Sequence, residues 1–137
     1  MNNNNCIFCK IANGEIPSAT IYEDEDFRVF LDLNPAARGH ALLVPKKHFE
    51  NLFELDDELC KKAMVLAKRL AGQMKEALGC DGFNLMQNNG ETAGQTVFHF
   101  HLHLIPRYKG DTAGITWNQG KASPEELEEL TALLGKK

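Results

Sequence analysis

Hydrophobic and polar positions change their period several times along the chain, and each change marks an element. Residues 21–22 and 27–33 are short β-rich runs around an acidic turn at 23–26, which predicts a hairpin. A third apolar strand is predicted over 40–44, entered through Gly39 and stopped by Pro45. Leu59, Ala63, Leu66, Ala67, Leu70, Met74, Ala77 and Leu78 then recur at spacings of three and four, the mark of a helix with one apolar face. Asp56, Asp57 and Glu58 crowd the first turn of that helix, where they suit its dipole, and Gly79 stands at its expected stop. Two more strands follow, over 83–87 and 97–105. Ser123-Pro124-Glu125-Glu126 opens a last helix over 123–134, with Ser as cap and Pro at its first position. Strands mostly contiguous in sequence, with one long helix inserted, predict an α+β fold around an antiparallel sheet. Neither a repeat nor a shift in composition divides residues 1–137, so a single domain is expected, with the polar stretch 1–5 disordered.

Composition narrows the function. With 15 Lys+Arg against 19 Asp+Glu the formal charge is −4, which argues against binding duplex DNA by phosphate neutralisation. No apolar run approaches the roughly 20 residues needed to span a bilayer, and MNNNN has neither the basic start nor the apolar core of a secretory signal. Four cysteines are too sparse for a secreted disulfide scaffold. A cytoplasmic protein that handles a small molecule, with no nucleic-acid or membrane partner, is therefore expected. In a reducing compartment the Cys6-x-x-Cys9 pair means metal ligation, redox chemistry or nothing; no βαβ pattern surrounds it to favour the redox role.

Three of the five histidines fall at alternate positions of one segment, His99, His101 and His103, between Phe98, Phe100, Leu102 and Leu104. Strict alternation predicts a strand with the apolar residues packing the core and the imidazoles on the other face, neighbours roughly 6.5 Å apart. Such a row is an exposed polar face, a three-histidine metal site, or a platform for an imidazole nucleophile with neighbours that hold a phosphate and move protons. The loop before it, Asn88-Asn89-Gly90-Glu91-Thr92-Ala93-Gly94-Gln95-Thr96, supplies small, amide and hydroxyl residues, which suits a phosphate better than a bare metal ion.

His99-Phe100-His101-Leu102-His103-Leu104-Ile105 matches in full the His-φ-His-φ-His-φ-φ pattern, φ apolar, of the histidine triad superfamily. The chain resembles that superfamily beyond the motif. Cys6-Ile7-Phe8-Cys9-Lys10-Ile11, Gly14-Glu15-Ile16-Pro17, Phe30-Leu31-Asp32, the run from Gly39 to His48, and Asn88-Asn89-Gly90 all stand in family order.

The resemblance implies a five-stranded antiparallel sheet with one long helix and short terminal helices, dimeric through that helix and the last-but-one strand. It also implies a nucleotide hydrolase acting at an α-phosphorus, with His101 as the nucleophile of a covalent nucleotidyl-histidine intermediate. His103 and His99 would orient the phosphate or the nucleophile, one of them helping to protonate the leaving group, with His40 as a fourth histidine behind them. Gln95, Thr96 and Asn88 match positions near the phosphate, beside Gly94. Asp32 matches the carboxylate for the ribose, and Phe8, Ile11, Phe30 and Leu33 the apolar slot for the base. Keeping His103, where the uridylyltransferase-like branch has Gln, favours hydrolysis. One motif in a short chain resembles the branch that cleaves purine nucleoside phosphoramidates and binds AMP-type nucleotides. A dinucleoside polyphosphate hydrolase and a nucleotide-binding or sensing protein are the alternatives. Relatives further imply a structural zinc on Cys6, Cys9, His48 and His99, against a metal-free pair of buried thiols, and no organic cofactor.

Overall fold

A computed structural model of the protein describes residues 5–135. The polar residues 1–4, expected to be disordered, lie outside the described residues, and Asn5 forms a turn. The elements run α1 (Ile7–Ala12), β1 (Thr20–Glu23), β2 (Phe27–Leu31), β3 (Ala41–Pro45), α2 (Asp57–Leu78), β4 (Gly82–Met86), β5 (Leu102–Arg107) and α3 (Pro124–Leu134). All five strands form one antiparallel sheet in the order β1-β2-β3-β5-β4. No described helix is long and apolar enough to cross a membrane.

The long helix forms where its period and caps place it. Asp56 caps it, its Oδ1 accepting from the Leu59 amide at 2.8 Å, and Gly79 ends it in the left-handed conformation at φ 65°. Leu59, Ala63, Leu66, Ala67, Leu70 and Met74 are buried against Phe27, Val29, Leu43, Phe100, Leu102 and Leu104 on one face of the sheet. Ala77 lies one turn beyond this packed stretch and is exposed.

The other face of the sheet is covered by α1, whose Phe8 and Ala12 pack with Phe30, Leu42 and Val44. β3 is therefore buried along its whole length, because both of its faces meet a helix. The polar positions on this second face create the site, since β5 presents His103 opposite Leu42 of β3.

The histidine segment departs from its predicted strand. The ladder begins only at Leu102; residues 97–99 are bends and 100–101 are irregular backbone. Its first neighbour explains this. β3 pairs with β5 no further than Leu43–Leu102, and beyond that point the Phe100 amide donates to the Phe49 carbonyl at 2.6 Å. Phe100, Leu102 and Leu104 enter the core as expected, but the bend turns Phe98 outward and leaves it 45% exposed. The imidazoles are covered too: His99 is fully buried and His101 nearly so.

Gly39 sets the approach to β3. It holds φ +87°, and a Cβ there would stand 2.6 Å from Leu78 Cδ1. Gly39→Ala is expected to cost about 2 kcal/mol from backbone strain and crowding together, read as a lower urea midpoint at unchanged m-value.

Candidate active site and metal centre

A cavity of about 500 Å³ opens between α1 and the second face of the sheet, a size that accepts a nucleoside monophosphate. Phe8, Ile11, Phe30, Leu33, Asp32, Thr96, His101 and His103, all expected at a nucleotide, line it together. Ile7, Ile16, Pro17 and Leu42 extend its apolar wall without having been singled out, although all four belong to quoted family segments.

Backbone groups determine which nitrogen of each imidazole carries its proton. His101 Nδ1 lies 2.7 Å from the His99 carbonyl, which only accepts, so Nδ1–H donates and the Nε2 lone pair remains available. The Ala36 amide donates to His40 Nδ1 at 2.9 Å, which puts the proton of neutral His40 on Nε2. That N–H donates to His103 Nδ1, 2.9 Å away, and leaves the His103 proton on its own Nε2. Asp32 Oδ2 stands 3.7 Å from His40 Nε2, while its Oδ1 accepts from the Asn34 amide at 2.9 Å. One backbone amide thus leaves His103 with an Nε2–H to donate, and one carbonyl leaves His101 with a free Nε2 lone pair.

Gln95 is buried, and its side chain braces the loop instead of facing the cavity. Its Oε1 accepts from the Gly90 amide at 2.8 Å, and its Nε2 donates to the Glu50 and Val97 carbonyls at 2.7 and 3.0 Å. A Cβ on Gly94 would meet the Asn88 side-chain amide at 3.5 Å, so those two residues sit against each other, and neither is among the residues that line the cavity.

Burial keeps the imidazoles neutral. It holds His103 down at about 4, the nearby His101 and His40 adding to the effect and Asp32 opposing it. His101 and His40 are lowered as well, again through burial first. An unfolded imidazole titrates near 6.5, so between about pH 6.5 and 4 the unfolded chain takes up protons that the folded one refuses. The imidazole contribution to stability is then lost as the pH drops through that window. Urea midpoints measured from pH 8 to 4 are expected to follow this course, with a shallower decline in His103→Gln. Equal declines in the two proteins would place the proton uptake elsewhere.

Behind the cavity, Cys6, Cys9, His48 and His99 turn four donor atoms toward one point, all within 4.8 Å of one another. His99 Nδ1 lies 3.3 Å from Cys6 Sγ, 3.4 Å from Cys9 Sγ and 3.2 Å from His48 Nδ1. The Pro45 carbonyl accepts from His99 Nε2–H at 2.8 Å, which leaves the Nδ1 lone pair facing the cluster. Tetrahedral zinc with ordinary bond lengths sets N···N near 3.4 Å and S···N near 3.6 Å, so the four donors fit one ion with little adjustment. Neither cysteine is in a disulfide, and Cys6 also caps α1, its Sγ accepting from the Cys9 amide. Phe8, carried between the two cysteines, meets His101 edge-on with centroids 4.9 Å apart.

The HIT domain family matches residues 13–110. A structure of a HIT family member from Bacillus subtilis superposes with a TM-score of 0.88 at 44% identity, covering 96% of each chain. The adenosine 5′-monophosphoramidase hnt1 of Schizosaccharomyces pombe is 40% identical over 126 residues, 91% of this chain and 92% of that one. A Zn-bound histidine triad family protein from Mycobacterium smegmatis has a TM-score of 0.76 at 38% identity, covering 96% and 94%. With its triad, its sheet and these relatives in agreement, the chain belongs to the HIT family.

Proposed function

We propose that the protein hydrolyses purine nucleoside phosphoramidates, or related nucleotidyl conjugates, at the α-phosphorus through a covalent nucleotidyl-His101 intermediate. The observation that carries this reading is the bond from His101 Nδ1–H to the His99 carbonyl, which leaves a neutral Nε2 lone pair at the wall of a nucleotide-sized cavity. His101 Nε2 attacks phosphorus, the P–N bond breaks, and the departing nitrogen takes a proton from His103 Nε2–H. Water then attacks phosphorus, its proton returning to His103 Nε2 as the P–N bond to His101 breaks, and the nucleoside monophosphate leaves with His101 and His103 restored. His40 holds the His103 tautomer, and Asp32 receives the ribose hydroxyls. Phe8, Ile11, Phe30 and Leu33 sandwich the base. Thr96 contacts the leaving group and Asn88 the phosphate, while Gln95 and Gly94 shape the loop that carries them. The name of the yeast relative, an adenosine 5′-monophosphoramidase, supports the choice of substrate.

A structural zinc on Cys6, Cys9, His48 and His99 belongs to the same proposal, supported by the donor geometry and by the Zn-bound mycobacterial relative. So do a cytoplasmic setting, in which the thiols stay reduced, and a homodimer. β4 is an edge strand whose Leu85 is 42% exposed, and α2 leaves Met64 53% exposed, as an unfilled interface would. Intact mass spectrometry of protein quenched during turnover of adenosine 5′-phosphoramidate tests the mechanism. An adenylyl group on the wild type, mapped to His101, is the expected result. Turnover with no adduct at any quench time would overturn the covalent route.

A further inference from the structure

The helix that walls the cavity begins on a pair of sulfurs that the reaction does not use. Cys6 is the N-cap of α1, and Cys9 lies in its first turn. Three residues apart on one turn, they stand about 5–6 Å apart between Cα atoms, within the span that a disulfide bridges. Their Sγ atoms lie within 4.8 Å of each other, and Cys6 Sγ accepts from the Cys9 amide at 3.4 Å. Access to the two is unequal. Cys6 is half-buried, whereas Cys9 is 2% exposed. A small oxidant therefore meets Cys6 first and leaves Cys9 behind it as the resolving thiol. Neither Cys60 nor Cys80 belongs to this cluster.

Two contacts join the sulfur pair to His101. The first is Phe8, which lies between the cysteines in the chain, lines the cavity and meets the His101 ring edge-on at 4.9 Å. The second is His99. Its Nδ1 stands 3.3 and 3.4 Å from the two sulfurs, and its carbonyl accepts from His101 Nδ1–H at 2.7 Å. α1 is only six residues long, too short to hold its own shape against a rearranged first turn. A bond between the sulfurs closes a ring around Phe8 and withdraws both sulfurs from His99, so the change reaches the cavity by either contact.

We infer that Cys6 and Cys9 are a hydroperoxide-sensitive modification site whose disulfide displaces Phe8 and weakens nucleotide binding. Cys6 Sγ attacks one oxygen of hydrogen peroxide, the O–O bond breaks, and the departing oxygen takes the thiol proton to leave as water. Cys9 Sγ then attacks the sulfenic sulfur of Cys6. The S–O bond breaks, and the Cys9 proton leaves with that oxygen as a second water. Two electrons pass from the sulfurs to the peroxide, and a thiol reductant returns them. In zinc-loaded protein the two protons come from solvent, and the ion loses two of its four donors. The effect on binding rests on the nucleotide reading above; the bridge does not.

The test treats full-length, zinc-loaded protein with hydrogen peroxide. Lys10 follows Cys9, so trypsin releases residues 1–10 with both cysteines of the pair and no other. That peptide is expected to lose two hydrogens and to regain them with dithiothreitol, while a chromogenic chelator collects one zinc per bridge. AMP affinity is expected to fall about tenfold on oxidation and to recover with the same reductant. Thiols that survive the peroxide, or oxygen added without a bridge, would overturn the site. A bridge that left AMP affinity unchanged would overturn its link to Phe8. Cys60→Ser is expected to keep the whole response, and losing it there would take the assignment away from Cys6 and Cys9. Reduced protein that bound no AMP would strike the nucleotide reading instead, with the peptide mass still deciding the bridge.

Discussion

His101→Ala is expected to lower turnover of adenosine 5′-phosphoramidate by at least about four orders of magnitude while AMP affinity changes by no more than about tenfold. The asymmetry follows from what the imidazole touches. Its Nε2 offers a free lone pair at the cavity wall, whereas the proposed contacts for base and ribose, Phe8, Phe30 and Asp32, stay in place in the variant. His101→Asn separates the roles further. Its amide can still donate to the His99 carbonyl and fill much of the space, so its stability should stay nearer wild type while its turnover falls as far. Steady-state rates, AMP titration and urea midpoints on the three proteins read this out. Wild-type rates in either variant would remove His101 as nucleophile. If the wild type itself bound AMP without turnover, the cavity would be that of a binding protein.

Metal removal should produce the other large effect. A chelator is expected to lower the thermal midpoint by roughly 10 °C or more, and added zinc to restore it. Without the ion, two imidazole nitrogens 3.2 Å apart and two thiols face one another with no cation between them. α1, only six residues long, would lose the anchors on both sides of Phe8. Weaker AMP binding should therefore accompany the fall in midpoint, because Phe8 is a wall of the cavity. Cys9→Ser should begin near the chelated midpoint and respond to neither reagent. A wild-type midpoint indifferent to both would leave a metal-free cluster held by weak hydrogen bonds.

Much of this molecule is legible in its sequence, and the boundary of what is legible has a physical origin. Side-chain period located α2, its Asp56 cap and its Gly79 stop, since a helix declares itself through short-range spacing. Alternation also identified the apolar partners of the histidines, but it mistook irregular backbone for strand over 97–101. Hydrogen-bonding partners distant in sequence, the Phe49 and Pro45 carbonyls, decide that conformation. Resemblance gathered the triad, Asp32 and the four metal donors, and the fold brings each group to one place. It missed the Ala36 amide and the His99 carbonyl, which orient His40 and His101 through main-chain atoms that no residue type reveals. Gln95 illustrates the same limit: an amide side chain that reads as a phosphate contact holds its own loop together.

The wall of the cavity is divided between two mechanical regimes, and that division bears on how such a protein could evolve. Phe30 and Leu42 are set in β2 and β3 under two covering helices, so a change there disturbs the packing and the ligand at once. Leu33 and Ile7, 90% and 51% exposed, line the same cavity at its mouth with little packed behind them. Variation at the mouth can therefore retune which ligand is admitted at small cost in stability, while the inner wall stays fixed. Ligand preference in such a chain is free to drift at its rim long before the fold or its chemistry is touched.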